Sequence, residues 1–367
     1  MVLEKISLLN FKNYQQADLH FSDKINCFVG LNGVGKSNLL DAIYYLSFTK
    51  SFFNPVDSQN INNGNEFFVI QGTFQNAGAT DDIYCAVKKN AGKIFRRNTI
   101  DYDRMSDHIG LIPLVLISPY DTQLITEGSE DRRKFIDGVI SQYDKQYLQF
   151  LLTYNRLITQ RNKYLKDTGY NQVFDVTYIR ILDEEIAQTG TVLFEKRKQF
   201  IEKLVPVFEQ HYADISNAPE KAQIVYQSHL HDEPFLNLLN NSLPKDRELL
   251  YTTRGIHKDD LNFEFNGRPL KKMGSQGQQK TFITALKLAQ FDFLKKVSAS
   301  TPLLLLDDIF DKLDASRVSH IIKKVGANNF GQIFITHTNL DRLEHVLETI
   351  NAPYKIFEIE SNQISEI

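Results

Sequence analysis

Gly30-Leu31-Asn32-Gly33-Val34-Gly35-Lys36-Ser37 carries the first recognisable chemistry of this chain, because it fits the pattern G-x-x-x-x-G-K-[ST] of a phosphate-binding loop. Glycines at these positions let backbone N–H groups turn inward onto phosphate oxygens, and the start of a following helix adds its positive dipole end. Lys36 is expected to reach the β- and γ-phosphates of ATP, and the Ser37 hydroxyl to bind magnesium. The expected nucleotide-binding set is Gly30, Asn32, Gly33, Val34, Gly35, Lys36, Ser37 and Asn38.

The acidic partner of such a loop stands far away in the sequence, at Leu303-Leu304-Leu305-Leu306-Asp307-Asp308. Four leucines read as a buried strand that delivers two carboxylates at the sheet edge where phosphates lie. Asp307 is expected to hold magnesium, and Asp308 to orient the attacking water. Asp reaches less far than the Glu common at this second position, which predicts slow hydrolysis, the behaviour of a switch.

Three further elements complete the expected site. Ser275-Gln276-Gly277-Gln278 opens a helix and offers a hydroxyl and free N–H groups to a γ-phosphate. One phosphate loop already serves this chain's own nucleotide, so the second loop, in its resemblance to an ABC signature loop, would serve a second copy across a two-fold axis, with a plain helix cap as the alternative. Asp314 would cross the same interface, although a helix cap is an equally good use for it. His337, at the end of Ile333-Phe334-Ile335-Thr336-His337, stands where a γ-phosphate sensor is expected, and a satisfied structural histidine is the plain alternative.

These groups need a scaffold, and 367 residues with 42% hydrophobic and 24% charged content can bury one large core or two ordinary ones. A formal net charge of -3 gives no overall positive field, so nucleic-acid contacts must come from a local patch. Cys27 and Cys85 lie in apolar strand-like runs, which reads as core in a reducing cytoplasm. Neither a secretory leader nor a run long enough to cross a membrane is seen.

The fold class predicted is α/β, an ABC/SMC-type ATPase head with a mixed sheet and an antiparallel β lobe, plus an inserted α-helical arm. A helix is expected from Lys36, with Leu39, Ile43 and Leu46 on its buried face. Strand segments at 67–70, 83–87 and 93–95 place the β lobe at about 60–105. The texture turns long, charged and helical from Ser129 to Asn217, without the sustained heptads of a long coiled coil. Asn266-Gly267 after Asn262-Phe263-Glu264-Phe265 predicts a tight hairpin. The head is assigned to 1–120 and 250–367, the arm to 121–249.

Taken together, the residues resemble the RecF family over nearly the whole chain. The resemblance rests on Asn10-Phe11-Lys12-Asn13-Tyr14, the run Gly33 to Ile43, Ser51-Phe52, Ser118-Pro119-Tyr120-Asp121, Arg132-Arg133-Lys134-Phe135-Ile136-Asp137 and Gln160-Arg161-Asn162. It continues through Arg254-Gly255-Ile256-His257-Lys258-Asp259-Asp260-Leu261, Ser275 to Lys280, and the Asp307-Asp308 strand. Departures are mild: the family more typically has Arg at Lys12 and Lys258, Pro at Ile256 and often Thr at His337. Asp121 and Gln123 occupy the place of the family's glutamine loop.

The resemblance implies a weak, DNA-stimulated ATPase that forms a homodimer on gapped or junction DNA when it binds ATP and Mg2+. It further implies partnership with RecR and RecO to load RecA on single-stranded gaps, with roles in replication maintenance and the SOS response. Arg132, Arg133, Lys134 and Arg161 are the candidate DNA contacts, since Lys and Arg supply the salt-sensitive part of binding. The alternatives are a transporter's nucleotide-binding subunit, or another SMC-like ATPase of unrelated role.

Overall fold

The computed structural model describes every residue except 77, 170–173, 217–220, 309–329, 349–351 and 361–362. The chain divides into two compact units, Met1–Asp121 with Ile283–Ile367, and Thr122–Phe282.

The first unit carries two six-stranded sheets. One has the order β15-β14-β3-β13-β12-β8. Five of its strands, β3 (Ile25–Val29), β13 (Ile333–His337), β12 (Leu303–Leu306), β8 (Leu114–Ile117) and β14 (Tyr354–Glu360), run parallel. β15 (Gln363–Glu366) pairs antiparallel at one edge, so the sheet is mixed. Every residue of β3, β8, β12 and β13 is buried, which explains the unbroken apolar runs of β8 and β12: a parallel strand covered on both sides has no face left for water.

The other sheet is wholly antiparallel, in the order β2-β1-β4-β5-β6-β7. It contains β1 (Val2–Phe11), β2 (Tyr14–His20), β4 (Phe67–Asn76), β5 (Ala79–Lys88), β6 (Gly92–Arg97) and β7 (Ile100–Asp101). The lobe expected at about 60–105 therefore takes in the N-terminal strands as well, because β1 pairs with both β2 and β4. Helix α1 (Lys36–Phe48) begins where expected, and Leu39, Ile43 and Leu46 join a core shared with residues of both sheets, including Phe68, Ile70, Leu305 and Phe334. Cys27 and Cys85 are buried free thiols, and burial pushes both pKa values up.

The second unit is mainly helical: α2 (Gln123–Thr126), α3 (Ser129–Ile140), α4 (Lys145–Thr168), the 41-residue α5 (Val176–Ser216) and α6 (Phe235–Leu249). It also holds a three-stranded sheet of β9 (Ala222–Gln227), β10 (Asp260–Phe265) and β11 (Arg268–Pro269). Asn266 and Gly267 have φ values of 49° and 73°, the left-handed pair that a two-residue hairpin requires between β10 and β11. The unit continues through α7 (Leu270–Met273) into the start of α8 (Gln276–Val297). Residues 250–282, assigned from sequence to the head, thus belong with the helices: β10 is zipped to β9 along six residue pairs. No helix among the described residues is long and apolar enough to cross a membrane.

Candidate nucleotide site

Backbone geometry at the phosphate loop explains two of its glycines. Gly30 adopts φ 154°, and a Cβ there would meet the Ile359 carbonyl oxygen at 2.4 Å. Gly35 adopts φ 111°, and a Cβ would meet Asn13 Nδ2 at 2.2 Å. That close approach is used, since Asn13 Nδ2 donates to the Val34 carbonyl at 2.9 Å while its Oδ1 accepts from Asn38 Nδ2 at 2.6 Å. Asn13, from the turn between β1 and β2, braces the loop from behind. Next to it, Lys12 pairs at 2.6 Å with the fully buried Asp41 of α1, which also accepts from Ser51 Oγ and the Phe52 amide.

Lys36 is almost fully buried, and its Nζ donates to the Gly30 and Leu31 carbonyls at 2.8 and 2.9 Å. The ammonium is therefore held at the loop that it is expected to serve. Ser37 Oγ donates to Asp307 Oδ1 at 2.8 Å across 270 positions of sequence, so the two expected magnesium ligands meet. Strand order produces this meeting: β3 feeds the loop, β12 feeds Asp307, and only β13 lies between them.

That intervening strand contributes a residue to which sequence reasoning gave no role. Thr336 Oγ1 donates to Asp307 Oδ1 at 2.9 Å and accepts from the Asp308 amide at 2.8 Å. It ties the Asp307 carboxylate to the backbone of Asp308. Its only sequence signal is a hydroxyl one position before the strand's end, and a β-branched residue in a strand is otherwise unremarkable. Asp308 is held at φ 45°, a left-handed conformation uncommon outside glycine and the kind of local strain that concentrates at functional sites. Burial pushes the Asp307 carboxyl above the ordinary Asp range, against the opposing hydrogen bonds from Ser37 and Thr336.

His337 is buried at the end of β13, and its Nδ1 accepts from the Thr338 amide at 2.8 Å. Its carbonyl, by accepting from the Gly30 amide at 3.3 Å, ties the strand to the phosphate loop. Asp121 is held by Lys287 at 2.7 Å and by the Ser118 amide, both within the same unit.

In the second unit, the Ser275 amide donates to Gln278 Oε1 at 2.8 Å and the Gln278 amide to Ser275 Oγ at 3.3 Å. This is a reciprocal capping box, so helix-capping is a structural use of the loop, and Ser275 and Gln276 remain exposed. Gly277 is partly covered. Asp314 lies outside the described residues.

The DNA-contact expectations need correction. Arg161 has no exposed surface; its guanidinium binds Asp183 at 2.6 Å and Asp246 at 2.7 Å, so it cannot meet a phosphate. Arg132 spends Nε and Nη2 on Asp260 and Nη1 on the Leu124 carbonyl. Arg133 donates to Ser129 Oγ and the Asp259 carbonyl. Lys134 alone of the four is well exposed, paired along its helix with Glu130.

Comparison with known proteins adds the following. The family description "RecF/RecN/SMC N terminal domain" matches residues 2–365. The DNA replication and repair protein RecF of Phocaeicola vulgatus is 51% identical over 368 residues, covering 100% of this chain and 98% of that protein. The protein of the same name from Flavobacterium johnsoniae is 51% identical over 359 residues, covering 98% and 100%. A solved structure of the recombination mediator protein RecF with ATP, in the RecFOR pathway, superposes with a TM-score of 0.90 at 31% identity, covering 100% of this chain and 97% of that one. An Smc head bound to the C-winged helix domain of ScpA, at TM-score 0.61 and 16% identity, has the same fold.

Proposed function

This chain belongs to the RecF family, and from that premise we propose that it is an ATP-operated recombination mediator that pairs with a second copy of itself on DNA. One observation carries the reading: Ser37, Asp307 and Thr336, brought together from three separate stretches of sequence, form a largely buried hydroxyl and carboxylate cluster at the phosphate loop. The RecF structure with ATP supports the nucleotide assignment.

The Gly30–Ser37 loop holds the triphosphate of ATP, with Lys36 on its β- and γ-phosphates. Ser37 and Asp307 supply hard oxygen ligands already within hydrogen-bonding distance of each other, a donor set that suits Mg2+. When bound, that ion neutralises charge developing on the phosphate oxygens. Asp308 orients the attacking water, Thr336 keeps the Asp307 carboxylate and the Asp308 backbone in place, and His337 senses the γ-phosphate. Ser275, Gln276, Gly277 and Gln278 complete the nucleotide site of the second copy, and Asp314 crosses the same interface. Closure is favoured only by as much as the closed pair binds ATP better than the open chain does, and the Ser275 loop supplies that difference.

Hydrolysis is slow and stimulated by DNA, so the closed state works as a timed clamp. Gapped or junction DNA is the preferred substrate, in the cytoplasm, with RecR and RecO as partners and RecA as the protein loaded; the RecFOR pathway named for the relative supports a place in that pathway. Sedimentation of the full chain with ATP and gapped DNA tests the reading. Lys36→Ala is expected to abolish ATP binding, and Ser275→Arg to bind ATP but stay monomeric. A Ser275→Arg protein that dimerises as well as the native one overturns the shared site.

A further inference from the structure

With Arg132, Arg133 and Arg161 committed to internal contacts, the proposed clamp needs other groups to hold DNA, and the segment from Tyr251 to Asp260 offers them. Most of its polar side chains are engaged. Thr252 donates to Asn162 Oδ1 at 2.8 Å, Thr253 to Asp246 Oδ1 at 2.6 Å, and His257 meets Tyr154 and the Thr252 carbonyl. Asp259 pairs with Arg197, and Asp260 with Arg132. Gly255, at φ 126°, packs so closely on Phe235 that a Cβ would lie 2.5 Å from its ring. The backbone here is pinned.

Three side chains of this pinned segment are left facing solvent. Tyr251 is 41% exposed, and Lys258 holds its Nζ 5.1 Å from the Tyr251 ring centroid. Arg254 is exposed, and neither it nor Lys258 makes an ion pair with any described residue. Arg254 also lines a cavity of about 370 Å³, together with His229, Asp232, Glu233, Asn241 and Lys245. His229 Nδ1 is buried with no hydrogen-bond partner among the described residues. Burial lowers the His229 pKa first; the charges of Arg254 and Lys258 add to the effect, and those of Asp259 and Asp232 oppose it.

Cations beside an exposed aromatic ring suit a nucleic-acid strand whose bases are unpaired, since phosphates take the charge and a base can stack on the ring. The carboxylates Asp232 and Glu233 argue against a bare phosphate ligand. They suit a ligand that carries amino groups as well, as cytosine and adenine do. The cavity also falls in the size range of small-ligand sites.

We propose that this cavity, together with the Tyr251–Lys258 pair of the segment that contributes Thr253 and Arg254 to it, binds single-stranded DNA, with Arg254, Lys245 and Lys258 on phosphates, Tyr251 under a base, and Asp232 and Glu233 accepting from base amino groups. The inference rests on the DNA-binding reading above and gives it a site.

Fluorescence anisotropy of the full chain with a labelled oligodeoxycytidine, an abasic strand of equal length and a blunt duplex provides the test, across a salt series. Arg254→Glu with Lys258→Glu is expected to weaken single-strand binding by roughly tenfold or more and to flatten the salt slope by about 0.7 for each cation lost. Arg254→Lys with native Lys258 should keep most of the binding. Tyr251→Ala is expected to lose roughly tenfold on oligodeoxycytidine and nothing on the abasic strand. Melting temperatures matching the native protein, as expected for exposed positions, separate these losses from misfolding. Native affinity and salt slope in the double-glutamate variant overturn the site, as does an equal loss on single strand and duplex. A native protein that binds none of the three DNAs overturns the DNA-binding reading itself, and the site with it.

Discussion

Asp307 in the first unit and Asp246 in the second are both buried carboxylates, yet their partners differ in kind. Asp307 is met by two hydroxyls, Ser37 and Thr336, and by no ion pair among the described residues. Asp246 is met by the guanidinium of Arg161, which also binds Asp183, and by the Thr253 amide and hydroxyl. A buried charge is stable only when something compensates it. The arm supplies the compensating cation from its own chain, and so spends its charges on architecture. At the nucleotide site the chain brings hydroxyls instead, an arrangement open to a cation from solution. The difference shows why charged residues near a motif are a poor guide to contact until their burial is known.

The largest test of this contrast removes the arm's cation. Arg161→Ala leaves Asp183 and Asp246 buried and unpaired, and is expected to cost about 3–5 kcal/mol of stability in urea denaturation. If it costs no more than an exposed arginine would, the arm's ion pairs are not what holds it together. Thr336→Val acts on the other side and should cost about 1–3 kcal/mol, because the Asp308 amide and the Asp307 carboxylate lose their shared hydroxyl. ATP hydrolysis should fall with it, while Thr336→Ser retains both.

The smallest expected effect is the most diagnostic. Burial raises the Asp307 carboxyl above 3.8, so the folded state binds its proton at a higher pH than the unfolded chain does. Below 3.8 the group is protonated in both states and carries no penalty; as pH rises through the folded value, stability is lost. Asp307→Asn escapes that loss and keeps an acceptor for Ser37 and Thr336. The variant should therefore melt above the native protein at pH 7, with the advantage fading as pH falls toward 3.8, while magnesium-dependent ATP binding is lost. Asp183 and Asp259, whose pKa values are also raised by burial, drop out of this difference because they are common to both proteins. A native protein more stable than the variant at pH 7 would mean that Asp307 is already compensated.

Legibility in the sequence followed how local the determining physics is. The phosphate loop, the Lys36 helix start and the Asn266-Gly267 hairpin depend on a few neighbouring residues, and each stands where it was expected. The buried run Leu303 to Leu306 was equally plain, because a strand covered on both faces needs no polar alternation. Thr336 was missed because its role depends on which strand lies beside β12. Arg161 was misread because a helix of mixed charge gives no sign that one of its cations faces an aspartate 22 positions on and another 85 positions on. The boundary near 250 was misplaced for a related reason: β10 looks like a head strand until its partner β9 is known.

The mixed sheet interleaves early and late sequence, with β3 from residues 25–29 lying between β13 and β14 from residues 333–337 and 354–360. During synthesis, the phosphate loop leaves the ribosome long before any of the strands that flank it exist. A prematurely released polypeptide would carry the glycine motif intact and still be unable to grip a nucleotide. Nucleotide binding therefore waits on strands encoded about 300 residues after the motif that it depends on.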